Sequence, residues 1–296
     1  MTLRVGINGF GRIGKCIFKI LRDRGIEVPL VNDPFLDLEY MHYLLKYDST
    51  YGREDVCQLE NDKIIYKGKP TSHSTAKLPS EIPWKDFKVD YVIESTGLFL
   101  TLKDCEGHKD VKSIIITAPS PDAPMFVFGV NHLKYNKEKI ISNASCTTNC
   151  LAPLANILNK NFGIEEGLMM TVHSVTATQK IVDGITKKNK RDGRSGMQNI
   201  IPASTGAAKA VTKVLPELEE ISEIFEKESK ENKEIIGITY DEVVSTDFNK
   251  DSRSCILDAR GSMELNPKFF KLLAWYDNEY GYSCRTVDLL EYVSKQ

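Results

Sequence analysis

Leu3-Arg4-Val5-Gly6-Ile7-Asn8 runs directly into Gly9-Phe10-Gly11-Arg12-Ile13-Gly14, and this stretch decides the fold. Its first six residues read as a buried strand. Beyond the turn, Ile13, Ile17, Ile20 and Leu21 recur at the spacing of one helix face. Three glycines so placed serve a tight bend, close backbone approach to a pyrophosphate, and helix packing. A bare G-x-G-x-x-G is weak evidence, because glycine-rich turns are common. The strand before it and the helix after it supply the context the motif requires.

Working outward, Val28-Pro29-Leu30-Val31-Asn32 reads as a second strand that delivers Asp33, nineteen residues beyond Gly14. A carboxylate there can accept hydrogen bonds from a ribose diol and repel a 2′-phosphate, so the expected cofactor is NAD rather than NADP. The competing reading of Asp33 is a turn residue before Pro34. Tyr91-Val92-Ile93-Glu94-Ser95-Thr96-Gly97 and Ser113-Ile114-Ile115-Ile116-Thr117-Ala118-Pro119 are further strands ending in small or polar residues. Such ends are the usual floor of a cofactor crevice. Residues 61–85 read as a small antiparallel excursion, and 139–142 as the last strand of this half.

That last strand leads to Ser145-Cys146-Thr147-Thr148-Asn149-Cys150, after which Leu151, Leu154, Ala155 and Leu158 recur at helical spacing. Cys146 is therefore expected at a helix start, where unpaired amides and the helix dipole favour a thiolate and can hold an oxyanion or phosphate. On spacing alone the residue reads equally as a small buried side chain. Pro153 falls inside the expected helix, where it should cause a kink. Farther on, 167–178 reads as a strand carrying His173, a polar loop passes through 187–194, and 202–209 reads as a second helix start behind hydroxyl residues. An amphipathic helix is expected over 217–232, with Leu218, Ile221, Ile224 and Phe225 on one face. Strand-like runs follow at 235–245, 253–259 and 270–277, then a helix over 280–295 that could pack back on the first half.

The whole-chain figures fit two domains: 296 residues, 41% hydrophobic and 27% charged, with a formal net charge of −2. That balance gives no reason to expect nucleic acid or an anionic membrane as a partner. No apolar run approaches membrane-spanning length. Seven cysteines without metal-type pairing suit a reducing, cytoplasmic setting, and no metal is expected.

Taken in order, Ile7–Gly14, Ser142–Asn149, His173 with Thr176-Ala177-Thr178, Arg191-Asp192-Gly193-Arg194, Pro202–Lys209 and Trp275-Tyr276-Asp277-Asn278-Glu279 resemble the glycolytic glyceraldehyde-3-phosphate dehydrogenase family. The resemblance covers nearly the whole chain. It implies an α/β Rossmann-type NAD-binding domain (1–148, completed by the C-terminal helix 279–296) and an α+β catalytic domain (149–278) with a mainly antiparallel sheet.

It also implies the oxidative phosphorylation of glyceraldehyde 3-phosphate to 1,3-bisphosphoglycerate, with inorganic phosphate as second substrate. Cys146 would be the nucleophile and His173 the base. Asn8, Gly9, Phe10, Gly11, Arg12, Ile13, Gly14, Asp33, Lys77, Thr96, Gly97, Thr117 and Asn278 would face NAD. Ser145, Thr147, Thr205 and Gly206 would bind the attacking phosphate and Thr176 the substrate phosphate. A homotetramer is implied, with the 176–198 loop lining a neighbour's cofactor pocket.

One departure stands out. Leu215-Pro216-Glu217-Leu218 runs straight into the next helix, where the family carries about thirty further residues, enough for two strands, and a phosphate-binding arginine. The departure opens one alternative, an impaired dinucleotide-binding or interaction protein; a second, a dehydrogenase of another phosphorylated aldehyde such as erythrose 4-phosphate, stays open because the substrate pocket is not legible in the sequence.

Overall fold

The structure is a computed structural model that describes residues 3–164, 167–186, 190–201, 218–266 and 269–296. β1 (Arg4–Asn8) passes through the glycine turn into α1 (Arg12–Asp23), and β2 (Glu27–Asn32) returns parallel to β1. Next come α2 (Leu38–Lys46) and a two-strand ribbon of β3 (Tyr47–Asp48) and β4 (Gly52–Arg53). The expected excursion is an antiparallel meander of β5 (Cys57–Glu60), β6 (Lys63–Tyr66) and β7 (Lys69–Ser74), whose last strand joins β2 in parallel. β8 (Tyr91–Glu94), α3 (Leu102–Cys105), β9 (Ser113–Ile116), β10 (Ile140–Ser142) and α4 (Cys146–Asn161) complete this half.

The eight-stranded sheet has the order β10-β9-β8-β1-β2-β7-β6-β5, parallel from β10 through β7. Its central strands are apolar on both faces because both faces are covered. One face packs Val5, Ile7, Val31 and Ile93 against Ile17 and Leu21 of α1. The other packs Leu30, Val92, Ile114 and Ile116 around the buried Trp84.

In the second half, α5 (Leu218–Glu231) precedes β11 (Ile236–Thr239), β12 (Cys255–Asn266), β13 (Phe269–Trp275) and α6 (Tyr280–Val293). β12 pairs parallel with β11 and antiparallel with β13. The amphipathic pattern of α5 is realised: Ile221 and Phe225 are buried with Ile157 and Leu158 of α4 and Cys255 and Leu257 of β12. α6 turns back onto α1, burying Cys284, Val287, Leu290 and Val293 in the same core as Ile17 and Leu21.

Two expectations need correction. Residues 167–178 form no strand, and Leu168, Met170 and Val172 are 97%, 82% and 95% exposed. The alternation is present, but a strand also needs a neighbour to take its backbone N–H and C=O groups. None pairs with it among the described residues, and the two strands implied by the resemblance have no counterpart in the sequence. The run at 235–245 ends as a strand at Thr239 and gives way to a 3-10 turn over Ser245–Phe248. Pro153 does not end α4, which continues to Asn161. The expected helix start at 202–209, with Thr205 and Gly206, lies outside the described residues.

Candidate active site

Cys146 is the first residue of α4, immediately after a tightly held turn. Ser145 caps the helix, its hydroxyl accepting from Thr148 N at 3.0 Å. Just before it, Ala144 sits at φ +55°, a left-handed conformation that costs a non-glycine residue of order 1–3 kcal/mol. The surroundings hold it there. Ala144 N donates to Ser142 Oγ, and Tyr282 of α6 donates its hydroxyl to Ala144 O at 2.9 Å. Asn143 bonds Thr286 of α6, and Asn149 Nδ2 donates to Asn143 O and Ser145 O. The position of Cys146 is thus set by residues from three elements.

His173 Nε2 lies 3.3 Å from Cys146 Sγ. Its Nδ1 is 2.8 Å from Ser174 O, and a carbonyl only accepts, so Nδ1 carries a proton and Nε2 faces the sulfur. The bond to Cys146 raises the His173 pKa above its ordinary value, more than burial lowers it, and the Ser174 carbonyl adds to the rise. His173 is therefore carried by an exposed, irregular segment rather than by a strand. Tyr276 steadies this region: its ring meets the His173 ring edge-on at 6.0 Å, and its hydroxyl contacts Thr147 Oγ1 (3.0 Å) and Thr171 Oγ1 (3.1 Å). Tyr276 lies within the Trp275–Glu279 motif, but no role for it can be read from the sequence. Strand alternation could not reveal which loop residue its hydroxyl would meet.

The three glycines of the turn are needed for three different reasons. Gly9 has φ +92°, and a Cβ there would stand 2.8 Å from the backbone carbon of Ser95. A Cβ on Gly14 would stand 2.0 Å from Gly9 O. At Gly11 a Cβ would meet nothing within 4 Å. The space over Gly11 is open to an incoming group, beside a helix start whose first turn has no acidic residue. These features fit a dinucleotide's pyrophosphate. Asp33 closes the crevice edge, its carboxylate accepting from Phe10 N (2.8 Å) and Phe35 N (3.0 Å).

Tyr276 touches the catalytic turn, while Glu279 binds Arg12 at the glycine turn, so the stretch carrying Asn278 spans the two. Thr96, Gly97 and Thr117 follow the carboxyl ends of β8 and β9, on the same sheet edge as the glycine turn. Arg12 is committed to Glu279 and Asp48, which push its pKa up, and Lys77 is exposed just past β7.

The candidate phosphate ligands are less gathered. The Ser145 hydroxyl is engaged in capping and the Thr147 hydroxyl with Tyr276, whereas Thr176 is exposed and bonds Thr178 and Gln179. Among the described residues no group of His, Cys, Asp and Glu could hold a metal ion, and no helix is long and apolar enough to cross a membrane.

Comparison with known proteins agrees with this geometry. Residues 3–102 match the family model described as the glyceraldehyde 3-phosphate dehydrogenase NAD binding domain. The C-terminal domain model of the same family matches in two pieces, 145–221 and 217–278. The chain is 49% identical to glyceraldehyde-3-phosphate dehydrogenase 2 of Danio rerio over 328 residues, covering 98% of each chain. It is 50% identical to glyceraldehyde-3-phosphate dehydrogenase of Wickerhamomyces ciferrii over 333 residues, covering all of both. With glyceraldehyde-3-phosphate dehydrogenase 1 of Saccharomyces cerevisiae it shares 48% over 330 residues and 99% of each. The 333-position alignment that covers the whole chain exceeds its 296 residues by 37 (333 − 296), and the split match puts a break beside Leu218.

Proposed function

Since the chain belongs to the glyceraldehyde-3-phosphate dehydrogenase family and is an NAD-dependent enzyme of that family, we propose that it works through a thioester on Cys146. The observation that carries this reading is the 3.3 Å contact between Cys146 Sγ and His173 Nε2 at a helix start.

The Cys146 sulfur adds to the aldehyde carbon of glyceraldehyde 3-phosphate to give a hemithioacetal, and His173 Nε2 takes the hydroxyl proton as hydride leaves that carbon. Bound NAD supplies the hydride acceptor. The Cys146 thioester is then cleaved by inorganic phosphate to 1,3-bisphosphoglycerate, restoring the thiol. The amides at the start of α4 suit the oxyanion of both addition steps. Ser145, Thr147, Thr205 and Gly206 bind the attacking phosphate in this reading, and Thr176 the substrate phosphate. The NAD contacts are Asn8, the Gly9–Gly14 turn, Asp33, Thr96, Gly97, Thr117 and Asn278, with Lys77 near the adenine.

We assign residues 1–148 with α6 to the cofactor domain and 149–278 to the catalytic domain. A homotetramer is supported by the exposed apolar side chains Ile181, Val182, Ile185, Met197 and Ile200, which a neighbouring subunit would bury. Seven free cysteines support a cytoplasmic location.

NAD reduction with glyceraldehyde 3-phosphate should require phosphate, exceed the rate with erythrose 4-phosphate, and vanish in Cys146→Ser. Activity that survives Cys146→Ser would refute the thioester. A second reading, a dinucleotide-binding protein with impaired catalysis, is favoured by the roughly 37 unmatched alignment positions (333 − 296). It predicts NAD binding without turnover in the same assay.

A further inference from the structure

Four adjacent strands end in polar residues that form one row across the sheet. Ser74 of β7 stands opposite Asn32 of β2, Asn32 opposite Asn8 of β1, and Asn8 opposite Glu94 of β8. Their side chains are hydrogen-bonded in series. Ser74 Oγ donates to Asn32 Oδ1 (2.8 Å), Asn32 Nδ2 to Asn8 Oδ1 (2.8 Å), and Asn8 Nδ2 to Glu94 Oε2 (2.6 Å). From the other side the Trp84 indole N–H donates to His108 Nδ1 (3.0 Å). An indole nitrogen can only donate, so His108 keeps its proton on Nε2, which meets Glu94 Oε2 at 3.1 Å. Glu94 Oε1 takes the main-chain N–H and the hydroxyl of Thr96, at 2.9 and 2.5 Å.

Donors therefore converge on Glu94 from both ends, Asn8 and His108 at Oε2 and the Thr96 main chain at Oε1, and a carboxylate accepts at both oxygens. Asn8, Asn32, Glu94 and His108 are all buried. Among the described ion pairs Glu94 meets only His108, which the indole holds neutral. The row also underlies each part of the crevice. Asn8 precedes Gly9, Asn32 precedes Asp33, and Thr96 and Gly97 follow Glu94 closely.

We propose that Glu94 is the positioning residue of the cofactor crevice, a buried anion that holds the glycine turn, the Asp33 strand end and the Thr96–Gly97 loop in register and favours the cationic, oxidised cofactor over the reduced one. The inference rests on reading this crevice as the NAD site. A carboxylate with neutral partners leaves uncompensated negative charge in a low-dielectric interior, and oxidised nicotinamide carries a positive charge that the reduced ring lacks.

The test is calorimetric titration of NAD⁺ and of NADH into wild type, Glu94→Gln and His108→Gln, with kcat and KM measured beside it. A glutamine amide at position 94 must point its NH₂ at donors, whichever way it turns. Glu94→Gln should weaken NAD⁺ about tenfold or more, weaken NADH several-fold less, and leave kcat at saturating NAD⁺ within about threefold. His108→Gln keeps the charge and should weaken both forms by the same factor.

Unchanged NAD⁺ affinity in either folded variant overturns the proposal, as does an equal loss of both forms in Glu94→Gln. If Glu94→Gln does not fold, His108→Gln decides: a parallel loss of both affinities with kcat kept supports the positioning role, and none refutes it. Failure of wild type to bind NAD⁺ would instead refute the underlying reading of the crevice.

Discussion

His173 Nε2 stands 3.3 Å from Cys146 Sγ, and the raised pKa of His173 sets how the imidazole behaves with pH. An imidazolium held above its ordinary pKa adds stability that is complete below the ordinary range and is lost as pH rises through the raised value. Over that range the ring is cationic beside the sulfur. A cation beside a sulfur favours its nucleophilic form, so at about pH 6 iodoacetamide should alkylate Cys146 faster in the wild type than in His173→Gln. His173→Gln should slow that acid-side reaction about tenfold or more. Superimposable pH–rate profiles for the two proteins would count against the pairing. Tyr276→Phe keeps the ring edge against His173 but removes the hydroxyl shared with Thr147 and Thr171. It should lower kcat roughly three- to thirtyfold, the effect of one or two lost hydrogen bonds, and an unchanged kcat would contradict its positioning role. The place of Cys146 at a helix start was legible in the sequence, because capping residues and helical spacing are local. Its pairing with a histidine 27 residues away was not, and came only from family resemblance.

At the scale of elements, the glycine turn makes the sharpest distinction between fold and binding. Gly14→Ala forces a Cβ to 2.0 Å from Gly9 O and should cost stability, lowering the urea midpoint by the equivalent of about 2 kcal/mol or more. Gly11→Ala places its Cβ in open space. That variant should unfold like the wild type yet bind NAD about tenfold or more weakly, because the methyl group occupies the space proposed for the pyrophosphate. Equal denaturation midpoints for both variants, or wild-type NAD affinity in Gly11→Ala, would refute the assignment. The strand–turn–helix unit was readable because each of its signals lies within a few residues. The strand expected at 167–178 failed for the opposite reason: Leu168, Met170 and Val172 alternate correctly, but a strand exists only as half of a pair. Extended geometry without a partner leaves their side chains in water. The parallel arrival of β7 beside β2 was likewise invisible, since pairing across the sheet leaves no local mark.

Across the whole molecule, the C-terminal helix belongs to the core formed by the N-terminal one. α6 contributes Cys284, Val287, Leu289, Leu290 and Val293 to that core, and Asn143–Thr286 and Tyr282–Ala144 bonds connect it to the catalytic turn. Burying each larger aliphatic side chain is worth about 1.5–3 kcal/mol, so together they approach the ~5–15 kcal/mol by which a domain is stable. Truncation after Glu279 should abolish the cooperative thermal transition and NAD binding together. A truncated protein that still melts sharply and binds NAD would show that the first half folds alone. The division into an α/β half and a second half with its own sheet could be anticipated from the alternation of elements. The return of the C-terminal helix to the first half was expected as well, whereas the strand order and the choice of α1 as its partner could not be read.

Rapid mixing of the NAD-loaded protein with glyceraldehyde 3-phosphate, without phosphate, tests the account most directly when NADH and protein mass are followed together. The expected result is a fast burst of about one NADH per active chain, with an acyl adduct on Cys146 that disappears when phosphate is added. NADH formed with no adduct on Cys146, or an adduct and burst that persist in Cys146→Ser, would contradict it.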